Sequence, residues 1–138
     1  LNRYVLDNLT YELDLDEPSL ASNGDFSLLT QLDSYADRLF AVKAASFASH
    51  EEFEDYMRAC ILKALDEGWI EEVDYLQQLQ YAITSRGTAQ RNPLFEYSRE
   101  AYRSFEEMQQ SMMAGIARNF FLAEPQVDRH GRQTILFP

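Results

Sequence analysis

Basic residues are scarce in this chain: 12 Lys and Arg stand against 23 Asp and Glu, for a net charge of −11. A polyanion of that kind is repelled by phosphate backbones, which excludes nucleic acid as a partner. Cysteine is nearly absent, and the single Cys60 cannot close an internal disulfide. With Met57, Ile61 and Ala64 around it, Cys60 reads as a buried, inert thiol. No apolar run approaches the roughly 18 residues that a membrane-spanning helix needs, and no signal peptide is legible. Glycine-rich phosphate loops are missing as well. The two histidines, His50 and His130, have no second His or Cys at ligand spacing, so no metal site is expected. The chain opens on Leu1 rather than Met, the expected mark of a segment excised from a longer protein.

What is abundant is apolar and aromatic side chains, 46% and 13% of the 138 residues, enough for one folded domain with a modest core. Charge is unevenly spread. Residues 1–75 hold 17 acids and 5 bases, net −12, whereas residues 76–138 hold 6 acids and 7 bases, net +1. The most cationic turn of this anionic chain is "RGTAQRNP", Arg86 to Pro93.

The few glycines and prolines punctuate long helical patterns. Residues 2–13 carry a short stripe of Tyr4, Val5, Leu9 and Leu13, and residues 14–25, with Pro18 and Gly24, read as a loop. Asp25 is placed to cap a helix over about 26–47, with Leu28, Leu29, Leu32, Tyr35, Ala36, Leu39, Phe40 and Val42 as its apolar positions. Ser49-His50-Glu51-Glu52 fits a capping box, in which the serine hydroxyl and the Glu52 carboxylate satisfy two otherwise orphan amide donors.

From there Phe53, Met57, Cys60/Ile61, Ala64/Leu65, Trp69, Val73, Leu76, Leu79/Gln80 and Ile83 keep helical spacing to about Arg86, a helix of about 54 Å at 1.5 Å per residue. Gly68 falls inside it, where a close helix neighbour is expected. Asn92 can cap a further helix with Pro93 at its first position. Leu94, Tyr97, Ala101, Phe105, Met108, Met112, Ile116 and Phe120 form its stripe. The expected fold is all-α: a long antiparallel two-helix hairpin, packed at its base against shorter helices. The tail "EPQVDRHGRQTILFP", with its His130-Gly131 turn, suggests a small β-hairpin.

No constellation in this pattern carries catalysis. The acidic clusters Glu51-Glu52-Glu54-Asp55, Asp66-Glu67 and Glu71-Glu72-Asp74 read as solvated faces of helices whose apolar faces lie elsewhere. Trp69, Met108, Met112 and Met113 read as packing residues. Two classes of function remain open on these grounds: a stand-alone acidic helical binder of inhibitor or immunity type, its negative face on a basic partner, or a docking piece of a larger machine whose hairpin turn meets a partner.

Residues 64–108 resemble the C-terminal part of SecA, the ATP-driven motor of bacterial protein export. The resemblance rests on Leu65, Asp66, Trp69 and Leu76, then on the turn Arg86, Gly87, Thr88, Ala89, Gln90, Arg91, Asn92, Pro93, then on Glu96, Tyr97, Glu100, Ala101, Tyr102 and Phe105. Residues 1–50 resemble the family's helical wing more loosely. "DYLQQL" and the ending "RNFFLAEPQVDRHGRQTILFP" are closer to the accessory SecA of Gram-positive bacteria than to the housekeeping motor.

The resemblance implies helical wing over 1–50, a two-helix finger of the helical scaffold over 51–122 and a C-terminal tail over 123–138. Arg86, Gly87, Thr88, Ala89, Gln90, Arg91 and Asn92 would form the fingertip. Implied partners are a SecY-type channel and an exported preprotein, a serine-rich glycoprotein adhesin in the accessory system. The implied location is the cytoplasmic side of the cell membrane, held peripherally. The parent motor, which can pair as a homodimer, would bind ATP and magnesium in domains upstream, and this segment would hold no cofactor and no metal of its own. Two departures matter. Thr88 stands where housekeeping members carry tyrosine, which argues against pushing by a bulky side chain there, and the family's cysteine-rich zinc-binding tail is lacking. A phosphate loop encoded upstream of Leu1 would select the motor over the stand-alone binder.

Overall fold

The computed structural model describes residues 3, 7–10, 24–85, 92–127, 129–130 and 133–138, with the backbone alone at 24–29. Among them are three helices, α1 (Gly24–Ala45), α2 (His50–Ser85) and α3 (Pro93–Leu122), followed by strands β1 (Glu124–Val127) and β2 (Gln133–Leu136). Of the short helix expected over 2–13, Arg3, Asp7 and Asn8 are helical, and most of that stretch lies outside the described residues.

Local chemistry sets the helix ends. The Ser49 hydroxyl accepts the Glu52 amide at 3.2 Å, and the Ser49 carbonyl accepts the Phe53 amide at 3.2 Å, so α2 starts where its capping box is written. The reciprocal bond is shifted by one residue: Glu52 Oε2 accepts from the Ala48 amide at 3.1 Å rather than from Ser49. At α3 the Asn92 Oδ1 accepts the Phe95 amide at 3.1 Å, with Pro93 in the first helical position, where it has no amide hydrogen to leave unpaired. The boundaries of α1 differ from expectation. Asp25 already lies within the helix and is not the residue before it. The far end closes early because the Ser46 hydroxyl and amide both donate to the Lys43 carbonyl, at 2.6 and 3.1 Å.

Two compact units divide the chain, one of residues 1–60 and 117–138, the other of residues 61–116. In the first, an aromatic core of Tyr56, Phe120, Phe47, Phe53 and Phe121 gathers around Cys60 and Ala123. Phe40 of α1 stacks on Phe120 of α3 at 5.0 Å between ring centroids, and Phe47 tilts onto Tyr56 at 4.9 Å. Such pairs add roughly 0.5–1.5 kcal/mol each beyond the area they bury. The β-hairpin pairs Glu124 with Leu136 and Val127 with Gln133. Its Ile135 packs on this core, and Gln133 Nε2 donates to Glu52 Oε1 at 3.3 Å, so one glutamate both caps α2 and anchors the tail.

In the second unit, residues 61–85 of α2 run antiparallel to residues 93–116 of α3. Gly115 meets Ala64, Gly68 meets Met112, and Glu72 meets Ser104, so the α3 partner falls as the α2 residue rises. The seam follows the smallest side chains, because those let the backbones approach. The small side chains are Ala64 and Gly68; the seam continues through Glu72, Leu76, Leu79 and Ile83, and Leu65, Trp69 and Val73 beside it are 38%, 53% and 48% exposed. This corrects two sequence expectations. Glu72 is not on a solvated face: it is 4% exposed. Trp69 is only edge-packed, tilted on Phe105 at 6.3 Å, and Met113, Val42 and Leu94 are exposed rather than packed.

Candidate functional site

Of the turn residues singled out by sequence, Arg86, Gly87, Thr88, Ala89, Gln90 and Arg91 lie outside the described residues. Asn92 is described, exposed and engaged through its side chain in capping α3. Ile83 is buried at 5% exposure. Beside it lies an open cleft of about 380 Å³ lined by Gln80, Ile83, Thr84, Pro93, Leu94 and Tyr97. The Thr84 and Ser85 hydroxyls donate to the carbonyls of Gln80 and Ala82, at 2.7 and 2.9 Å, which occupies acceptors in the last turn of α2.

Large apolar side chains crowd the surface here. Tyr81 is 78% exposed, Leu94 74% and Phe95 65%. Leu94 and Phe95 are consecutive, about 100° apart around α3, so they cannot both face α2. Tyr97, half-buried, takes the position toward Ile83 and leaves both outside. Sequence reading missed this patch by placing Leu94 in the apolar stripe. The signal was the adjacency of Leu94 and Phe95 directly after a helix start.

The unit of residues 1–60 and 117–138 holds a buried polar cluster that sequence reading also missed. The Tyr56 hydroxyl donates to the carbonyls of Phe120 and Ala123, at 2.7 and 2.9 Å. Lys43 Nζ donates to the Ala123 carbonyl at 2.6 Å and stands 5.3 Å from the Tyr56 ring centroid. Together they satisfy the carbonyls left over at the end of α3. Asn119 Nδ2 donates to the Cys60 carbonyl at 3.3 Å, tying α3 to α2. Burial raises the Cys60 thiol and the Tyr56 phenol above their ordinary values and lowers Lys43. A thiol held protonated is a poor nucleophile, which agrees with the inert role expected for Cys60. Among the described residues no group of His, Cys, Asp and Glu is arranged to hold a metal ion. No helix among them is long and apolar enough to cross a membrane.

Capped antiparallel helices, an aromatic core tied by Tyr56 and Lys43, and a small C-terminal β-hairpin define a largely helical protein. The SecA Wing and Scaffold domain family matches residues 1–124, and the chain belongs to that family. It is 38% identical over 137 residues to Protein translocase subunit SecA 2 of Streptococcus agalactiae serotype V, covering 99% of this chain and 17% of that protein. The corresponding figures are 33% over 138 residues for Protein translocase subunit SecA 2 of Streptococcus sanguinis, 100% of this chain and 17% of that protein, and 30% over 135 residues for the Staphylococcus aureus (strain Newman) protein of the same name, 98% and 17%. The chain thus spans about a sixth of the length of these relatives, and its similarity to them continues through the β-hairpin.

Proposed function

We propose that the chain is the C-terminal helical region of an ATP-driven protein translocase of the accessory Sec system. Its α2–α3 turn contacts a SecY-type channel and the exported polypeptide at the inner face of the membrane. Membership of the SecA family supports the translocation role. The observation that carries the contact role is the exposure of Tyr81, Leu94 and Phe95 on the helix ends that flank the turn. Leu94 and Phe95 are adjacent on α3, and exposed large apolar side chains that adjoin one another are a mark of protein-contact sites. Arg86 and Arg91 add donors suited to carboxylates or backbone carbonyls of a channel loop. Residues 1–50 serve as wing and 51–122 as finger in this reading.

ATP and magnesium belong elsewhere in the parent. No step of nucleotide chemistry is assigned to this chain.

The reading is tested by placing a photo-crosslinking residue at Phe95 in the parent motor, with a second at exposed Gln77 of α2 for comparison. Adducts with the channel or with a translocating polypeptide are expected from position 95 and not from position 77. Equal labelling from both, or none from position 95 during active export, contradicts it.

A further inference from the structure

One polar pair interrupts the α2–α3 seam. Glu72 is 4% exposed; the Ser104 hydroxyl donates to its Oε2 at 2.7 Å, while its Oε1 has no hydrogen-bond partner among the described residues. A buried carboxylate held by one hydrogen bond is a net burden on stability, and an apolar pair of similar volume is commonly as stable or more so. Its position is informative. Along α2 the seam residues Cys60, Ala64, Gly68, Glu72, Leu76, Leu79 and Ile83 follow one another at three- and four-residue steps, and Tyr97, Ala101, Ser104, Met108, Met112 and Gly115 do so along α3. From Gly68 to Ile83 the α2 side chains in this seam are otherwise aliphatic. The flexible aliphatic side chains of Leu76, Leu79 and Ile83 discriminate weakly against a slip of one turn. A polar side chain that finds its only partner in one alignment discriminates strongly.

We propose that Glu72 and Ser104 fix the register of α2 against α3 at a cost in stability, in the way a single buried polar residue sets register in coiled coils. Slipped by a turn, Glu72 faces Ala101 or Met108, neither of which has a donor on its side chain, and Ser104 faces Gly68 or Leu76. The carboxylate would then have neither oxygen satisfied, a loss added to that of the close Gly68–Met112 and Gly115–Ala64 approaches, so the slipped pairing is rejected. This concerns the pairing of the two helices and does not depend on what their turn contacts.

The test uses paired spin labels at Gln77→Cys and Gln110→Cys, both exposed on the two helices, in the whole chain, with the wholly buried Cys60 left in place. The starting sequence should give one interhelical distance. Glu72→Leu combined with Ser104→Ala should keep the helical circular-dichroism signal, melt no lower, and show a second distance population shifted by up to one turn, about 5.4 Å. Glu72→Gln, which keeps an acceptor for Ser104, should retain the single distance. Three results overturn the proposal. These are a single unchanged distance in the apolar variant, loss of its helical signal (which makes the pair necessary for folding itself), or a second population in Glu72→Gln as large as in the apolar variant.

Discussion

Gly68 and Gly115 look alike in sequence, each a glycine inside a long helix, yet they meet different surroundings. A Cβ at Gly68 would sit 2.8 Å from both Cε and Cγ of Met112; one at Gly115 would sit 3.4 Å from the Ala64 Cβ. Alanine in place of glycine in a helix interior gains about 1 kcal/mol from propensity. Gly115→Ala should therefore raise the thermal midpoint or leave it unchanged. Gly68→Ala should lower it, because the Met112 Cγ, close to its own backbone, cannot swing away as the terminal methyl can. Calorimetry of the two variants side by side checks this.

The Cys60–Tyr56 cluster predicts a pH dependence with a definite sign. Burial lifts Cys60 above 9.0 and Tyr56 above 10.0, so the folded chain holds these protons more tightly than the unfolded chain. Their contribution is complete below about pH 9 and is lost as pH rises through the folded-state values. Lys43, lowered from 10.5 by desolvation, works in the opposite sense: its burden eases as pH rises toward 10.5 and offsets the Cys60 loss over that range. Urea midpoints should therefore fall with respect to these groups mainly above about pH 10.5, where the Lys43 offset has ended and the folded chain still holds the Tyr56 proton. Relative to the starting sequence, Cys60→Ala should lose less stability between about pH 9 and 10.5. Neither Tyr56 nor Lys43 was legible as a cap in the sequence, because the carbonyls they serve come from a helix end more than 60 residues away.

At the scale of elements, the starts of α2 and α3 were legible because caps are local: Ser49 and Glu52 lie three residues apart, and so do Asn92 and Phe95. Replacing Ser49 or Asn92 by alanine should each cost about 1 kcal/mol, read as a lower denaturation midpoint. Glu52→Ala should cost more than Ser49→Ala, since Glu52 accepts from Ala48 and also from Gln133 of β2. A smaller loss at Glu52 would contradict the anchoring of the β-hairpin. The seam was read correctly at Ala64, Leu76, Leu79 and Ile83 and one position off at Trp69 and Val73. Periodicity ranks residues by hydrophobicity, whereas the line of closest approach follows Ala64 and Gly68, and that rotation moves Val73 toward solvent and Glu72 inward. The β-hairpin was anticipated from "QTILF" and a turn, and it forms with β2 at Gln133–Leu136.

For the molecule as a whole, the family match to residues 1–124 agrees with a scaffold role. The exposure of Tyr81, Leu94 and Phe95 was not legible, since whether an apolar side chain on a helix is covered depends on which neighbour takes the inner position. The central claim is that the α2–α3 turn works on a partner in protein export. It is tested most directly by reversing its charges, Arg86→Glu with Arg91→Glu, in the intact translocase and measuring export beside basal ATP hydrolysis. The account predicts impaired export with basal hydrolysis and helical content retained; full export by that variant would contradict it.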